Sequence, residues 1–138
     1  IETNQNPFKS KTFYSLNQRI SKAKKIIKNT KKIQVIHFEK AIGSSRSINA
    51  INYLINKKKL KNIYFIIGSD NLIKFHKWKS WKKIVKLTKL IVFSRRGYDK
   101  KSKKSIVAKY LKNKIIFVKN KPILISSTNL RTQTLKNC

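Results

Sequence analysis

The chain has 138 residues, 40% of them hydrophobic, which is enough to bury the core of one domain. Its formal charge is +31, from 35 lysines and arginines against four acidic residues. With so few carboxylates, two histidines and one terminal cysteine, the composition argues against paired-carboxylate, two-metal and zinc sites and against an internal disulfide. We predict a single domain over residues 1–138 in a reducing, cytoplasmic setting. No apolar run reaches the ~18 to 20 residues of a membrane span, so no membrane partner is expected.

The positive charge has two explanations. It attracts nucleic acid in general, which keeps a basic nucleic-acid-binding protein open as an alternative. However, the lysines are spread over almost every segment, and only five of the 35 cations are arginine. Lys, Ile and Asn also share A/T-rich codons, so we attribute most of the charge to composition and expect no specific nucleic-acid partner. No pattern indicates an oligomeric state.

The first half of the chain contains two predicted helices and one predicted strand. Residues 1–11 are polar and predict a loop, and apolar residues at helical spacing predict a helix over 12–29. The alternating, β-branched run at 33–38 predicts a strand. The helical period returns over 47–60, where Ser47 is a candidate N-cap.

The second half alternates strands with helices. The continuous apolar run at 63–68 is typical of a strand that is buried on both faces. The remaining predictions, in chain order, are helices at 71–76 and 79–87, a strand at 90–94, a loop at 95–104, a helix at 105–113, strands at 115–118 and 123–125, and a helix from Ser126. This order indicates an α/β domain with a parallel sheet.

Ligands of such sheets bind outside the carboxyl ends of the strands. That rule directs attention to residues 69–70, 94–97 and 126–131. In the last of these, Ser126, Ser127 and Thr128 start a helix, and their hydroxyls either cap it or join its free N–H groups in holding a phosphate. Arg131 follows Ser127 by four residues, so it lies on the same helical face within reach of the same anion.

Several segments, in this order, resemble the bacterial nicotinate-nucleotide adenylyltransferases of the nucleotidyltransferase superfamily. They are "FIIGSDNLIKFHKWKSWKKI" (65–84), "VFSRRGY" (92–98) and "ISSTNLR" (125–131), and "NQNPFK" (4–9) resembles a further loop of the family. The family shows a Gly-x-Asp turn, a tryptophan eight residues later, an Arg-x-Gly loop and an I-S-S-T-x-x-R signature. The resemblance covers nearly the whole chain and implies a Rossmann-like nucleotidyltransferase fold with a parallel sheet.

The resemblance also implies an activity. AMP passes from ATP to nicotinate mononucleotide, giving deamido-NAD and pyrophosphate, with Mg²⁺ accompanying the triphosphate. The resemblance implies that the ATP phosphates are bound by Ser126, Ser127, Thr128, Arg131 and Lys9. It implies that the nucleotide is bound by Asp70, Arg95 and Gly97, and the nicotinate by Trp78 and Ser47. A sister enzyme, such as a pantetheine-phosphate adenylyltransferase, remains an alternative.

Two departures from the family pattern stand out. The G-G-x-F-x-P-x-H-x-G-H signature, whose histidines stabilise the transition state in the family, is absent, so no catalytic residue is assigned. Together with the first residue, Ile1, and the lack of methionine, this predicts an incomplete chain that lacks the family's first strand, first helix and second strand. Such a chain is expected to bind nucleotide weakly and to catalyse the reaction poorly or not at all. At 45–54 the family prefers T-x-x-T-L, where this chain has Ser47 and Ala50.

Overall fold

The structure, a computed structural model, describes residues 13–120. Predictions that fall on 1–12 and 121–138 lie outside the described residues, and they include the strand at 123–125, Lys9, Ser126, Ser127, Thr128 and Arg131. The described residues fall into two compact units, which divide between Tyr53 and Leu54. The single domain over 1–138 stays a prediction.

The first unit contains three helices: α1 (Leu16–Ile26), α2 (Glu39–Ile42) and most of α3 (Ser47–Asn56). A capping box starts α1, because Gln18 N donates to Ser15 Oγ (3.2 Å) and Ser15 N donates to Gln18 Oε1 (2.9 Å). The helix α2 ends at Gly43, whose φ of +60° suits a residue without a side chain.

Two predictions in this unit are wrong. Residues 33–38 form neither strand nor helix, because an extended segment becomes a strand only by pairing, and within residues 13–120 no strand pairs with it. Ser47 does not cap α3. The carbonyl of Arg46 accepts from Asn49 N (3.0 Å) and Ala50 N (3.3 Å), so Arg46 holds the cap position and Ser47 is the first helical residue.

The second unit is built on a three-stranded parallel sheet in the order β1 (Tyr64–Gly68), β2 (Lys89–Phe93) and β3 (Ile115–Val118). Its helices are α4 (Ser69–Lys74), α5 (Trp81–Leu87), α6 (Asp99–Lys103) and α7 (Ile106–Leu111), with 3₁₀ turns at Phe75–Lys77 and Lys112–Lys114. The α/β class with a parallel sheet is therefore confirmed. The loop predicted over 95–104 is partly wrong, because it contains α6.

Helices cover one face of this sheet. The buried side chains on that face are Ile67, Leu90, Val92 and Ile115, while Phe65 beside them is half-buried and Phe117, near the end of β3, is exposed. On the opposite face Ile66 is 61% exposed, and Tyr64, Phe93 and Ile116 are exposed as well. The prediction that 63–68 is buried on both faces is wrong, since Tyr64 and Ile66 of β1 are exposed on the face opposite Ile67. Within residues 13–120, no helix has the length and apolar character needed to cross a bilayer.

Candidate functional site

The candidate site lies where β1 and β2 end. Gly68 is the last residue of β1 and pairs with Phe93, the last residue of β2. Because the strands are parallel, the residues that follow them emerge at the same edge of the sheet. Ser69 and Asp70 follow β1, and Ser94 and Arg95 follow β2, as the sequence predicted for this edge.

The side chains of Asp70 and Arg95 meet at this edge. Arg95 Nε lies 3.2 Å from Asp70 Oδ1, with the two side chains 60% and 32% exposed. An ion pair this open to water contributes little to stability, about 0 to 1 kcal/mol. The guanidinium of Arg95, which is largely exposed, is therefore free to turn toward a ligand, which suits a binding site better than a structural one.

The lack of a side chain at Gly68 makes room for this ion pair. A Cβ at Gly68 would collide with Asp70 Oδ1 and would lie 2.8 Å from Arg95 Nε. The backbone at this position, with φ −82° and ψ 157°, is ordinary extended geometry. The glycine is therefore required by the close approach of two side chains and not by backbone conformation.

Gly97 has the opposite requirement. Tyr98 N donates to Arg95 O (3.0 Å), which closes a four-residue turn with Gly97 in its third position. The φ of Gly97 is +84°, the value that a type II turn demands there, while a Cβ would meet nothing within 4 Å. The turn folds the chain back after Arg95, so that Asp99 starts α6 beside the end of β2.

Polar side chains hold the backbone at Arg95. Arg95 N donates to Ser69 Oγ (2.9 Å) and to Asp99 Oδ1 (3.1 Å), and the Ser94 hydroxyl donates to Asp99 Oδ2. Hydrogen bonds from the Ser94 and Ser69 hydroxyls lower the pKa of Asp99 below its ordinary value, and the Arg95 backbone amide and the charge of Lys103 lower it further. Burial opposes these effects without overcoming them. Asp99 is therefore held as a carboxylate.

The depressed pKa of Asp99 makes stability depend on pH. A carboxyl whose pKa is lower in the folded chain stabilises it above the unfolded value, about 3.9, and this contribution disappears as the pH falls through the folded pKa. As the pH falls from about 5 to about 2, the free energy of unfolding should decrease less in Asp99→Asn than in the unchanged chain. Denaturant titration at each pH measures this free energy. The control Ser105→Ala should keep the full slope; an unchanged slope in Asp99→Asn would contradict the assignment.

Trp78 belongs to an aromatic cluster. Its ring centroid lies 5.0 Å from that of Phe75 and 6.2 Å from that of Phe65, the latter in an edge-on arrangement. Trp78 is half-buried, so part of the indole stays accessible. Its role toward nicotinate stays a prediction, and so does that of Ser47, which lies in the first unit and is half-buried.

The structure therefore brings together three of the predicted site residues, Asp70, Arg95 and Gly97, in one loop cluster. Sequence reasoning pointed to Ser69 and Ser94 by position but gave them no role, and it missed Asp99. One signal was available for Asp99: it is one of only four acidic residues in the chain and lies two residues after the turn glycine.

Comparison with known proteins shows the family to which nearly the whole chain is similar. A family model described as "Cytidylyltransferase-like" matches residues 1–133. The chain is 48% identical over 130 residues to a protein of Pelagibacter ubique named "Probable nicotinate-nucleotide adenylyltransferase", a match that covers 94% of this chain and 72% of the relative. Proteins of the same name from Aquifex aeolicus (35% identical, 93% of this chain and 79% of the relative) and Aliarcobacter butzleri (32%, 96% and 68%) are also similar.

Proposed function

Since the chain belongs to the cytidylyltransferase-like family, we propose that it acts as its nicotinate-nucleotide adenylyltransferase relatives are named, on ATP and nicotinate mononucleotide. In this reaction a phosphate oxygen of nicotinate mononucleotide attacks the α-phosphorus of ATP. The bond between the α-phosphorus and the bridging oxygen breaks, pyrophosphate leaves, and deamido-NAD forms. The step belongs to NAD biosynthesis, and the lone Cys138 suits a cytoplasmic setting.

The observation that carries the proposal is the meeting of Asp70 and Arg95 at the carboxyl edge of the sheet. The Asp70 carboxylate is an acceptor for nucleotide hydroxyls, and Arg95 is a cation that can lie against the adenosine side with the backbone at Gly97. Both side chains are partly exposed, so a nucleotide can reach them.

The other roles follow from the family motifs. Ser126, Ser127, Thr128, Arg131 and Lys9 would hold the triphosphate, Trp78 would stack on the pyridine ring, and Ser47 would contact the nicotinate side. Catalysis then rests on positioning and on neutralising phosphate charge. The +31 charge of the chain adds a general attraction for such anionic substrates.

Magnesium enters this proposal as part of the substrate, MgATP. Within residues 13–120 no three His, Cys, Asp or Glu side chains lie close enough to hold a metal. The two carboxylates of the site, Asp70 and Asp99, already face protein donors. Mg²⁺ is commonly held by substrate phosphates with few protein ligands, which fits this part of the chain.

The direct test is to mix the 138-residue chain with MgATP and nicotinate mononucleotide and to follow deamido-NAD by mass spectrometry, with calorimetry for each substrate alone. We expect saturable MgATP binding, with a Kd in the ~1 μM to 1 mM range of enzyme substrates. We expect slow turnover, because the sequence contains no H-x-G-H motif. A chain that binds neither substrate would refute the proposal, and rapid turnover would refute the importance of those histidines.

Trp78 tests the identity of the second substrate. Replacing a stacking aromatic side chain by alanine costs about 1 to 3 kcal/mol, so Trp78→Ala should weaken nicotinate mononucleotide binding about 5- to 150-fold and leave MgATP binding nearly unchanged. The control is Trp81→Ala, since Trp81 packs edge-on against Tyr110 at 5.1 Å. Unchanged affinity for nicotinate mononucleotide in Trp78→Ala would favour a sister enzyme such as the pantetheine-phosphate one.

The charge of +31 favours one further candidate, a nucleic-acid-binding function. It predicts tight duplex or RNA binding that weakens steeply with salt. Fluorescence anisotropy with a labelled duplex and a labelled RNA at ~50 mM and ~150 mM salt separates the two functions. Weak binding at the higher salt concentration would remove this candidate.

A further inference from the structure

We propose that Ser69 and Asp99 are positioning residues that fix the backbone of Arg95 and so present its guanidinium to the nucleotide. The nucleotide part of this inference rests on the proposed function. The part that concerns the Arg95 backbone does not, because it follows from hydrogen bonds within the chain.

The backbone needs such support because the sheet ends one residue earlier. Ser94 N donates to Val118 O (3.0 Å), which continues the ladder between β2 and β3. The next amide, that of Arg95, bonds to side chains and not to a strand carbonyl. A backbone amide that leaves the sheet must find another acceptor, and this one has two.

The two acceptors come from different elements of the second unit. Ser69 opens α4 directly after β1, 26 residues before Arg95, and its side chain is only 1% exposed. Asp99 opens α6 on the far side of the Gly97 turn. The Arg95 amide is thus held between the end of the neighbouring strand and the start of the following helix.

Asp99 is itself held in place. Its second carboxylate oxygen accepts from the Ser94 hydroxyl, and its backbone carbonyl accepts from Ser102 Oγ (2.8 Å), a side chain that is fully buried. One carboxylate therefore connects residues 94, 95 and 99. In a chain with only four acidic residues, the Asp99 carboxylate accepts hydrogen bonds within this loop, one from the Arg95 backbone and one from the Ser94 side chain.

The result is a fixed backbone that carries an exposed cation. The backbone amide of Arg95 has two acceptors. The Arg95 side chain is 60% exposed, and within residues 13–120 its ion-pair partner is the Asp70 carboxylate. Fixing the backbone before binding removes part of the ordering cost that a ligand would otherwise bear. Removing either acceptor should weaken nucleotide binding through Arg95, although neither acceptor need touch the nucleotide.

The test combines two measurements on Ser69→Ala, Asp99→Ala and Asp99→Asn. In the first, amide hydrogen exchange by NMR should show faster exchange of the Arg95 N–H in both alanine variants. Asp99→Asn keeps an oxygen that can accept from this amide, so it should restore most of the protection. Ser105→Ala is the matched control, because Ser105 Oγ also accepts from a backbone amide, that of Ala108 (3.2 Å), away from the site.

In the second measurement, calorimetry gives the Kd for MgATP with and without Arg95→Ala. We expect Ser69→Ala and Asp99→Ala to weaken binding about 5- to 30-fold, the size of one or two hydrogen bonds, and less than about 2-fold when Arg95 is already alanine. Equal losses in both backgrounds would overturn the positioning role, and so would unchanged Arg95 amide exchange.

If the unchanged chain binds no MgATP, the proposed function fails, while amide exchange still decides whether these residues hold Arg95. Should Asp99→Ala not fold, Ser69→Ala carries both measurements.

Discussion

Phe75→Ala is expected to lower the free energy of unfolding by about 3 to 5 kcal/mol, the usual cost of removing a fully buried phenylalanine. Phe75 is 0% exposed, and its ring packs against Phe65 (centroids 6.1 Å apart) and Trp78 (5.0 Å) beneath the sheet. Denaturant titration followed by circular dichroism measures the change, and the tryptophan emission should shift to the red as the cluster opens to water.

The matched control for Phe75→Ala is Ile66→Ala. Ile66 lies on β1, as Phe65 does, but points to the opposite face and is 61% exposed. Its replacement should change the unfolding free energy by no more than about 1 kcal/mol. A cost at Ile66 as large as that at Phe75 would mean that the uncovered face is buried in solution, contrary to the exposure found here.

Gly68→Ala is expected to leave the fold intact and to weaken MgATP binding about 10- to 150-fold. The added Cβ collides with Asp70 Oδ1 and approaches Arg95 Nε, which drives apart the two groups assigned to the nucleotide. The loss corresponds to one or two hydrogen bonds of charged groups, about 1.5 to 3 kcal/mol. Calorimetry measures the affinity, and denaturant titration should show stability changed by less than about 1 kcal/mol.

Gly43→Ala provides the reciprocal control. Gly43 has a φ of +60°, and its missing Cβ would meet nothing within 4 Å. Alanine there strains the backbone by about 1 to 2 kcal/mol, so stability should fall. Because Gly43 lies in the first unit and carries no predicted contact with the nucleotide, MgATP affinity should stay the same. Normal MgATP affinity in Gly68→Ala would show that the pair at the sheet edge does not hold the nucleotide.

Much of the secondary structure was predictable because its signals are local. The runs 63–68, 90–94 and 115–118 were predicted as strands, and the structure has strands at Tyr64–Gly68, Lys89–Phe93 and Ile115–Val118. A β-branched or aromatic run between polar residues carries this information in adjacent positions. The alternation at 33–38 carries the same signal but forms no strand, because pairing depends on a neighbour that the run itself does not specify.

The site was predictable in part for the same reason. Parallel strands end at one edge, so Asp70 and Arg95 could be expected near each other from strand order alone. The ion pair between them, and the room that Gly68 leaves for it, could not be expected from the sequence. Both depend on distances between side chains that follow two different strands. The role of Asp99 was missed because a short helix, α6, occupies a segment whose many lysines and turn glycine predict a loop.

From the sequence alone we could predict the order of strands and helices in the second unit, the parallel α/β class and the family, and the positive charge follows directly from composition. Each of these depends on composition, on periodicity or on motifs of neighbouring residues. Three other features required the folded structure: one face of the sheet is covered, 33–38 has no strand partner among residues 13–120, and Ser69 and Asp99 converge on one backbone amide. Those features depend on contacts between residues distant in the chain, and such contacts exist only once the elements have packed.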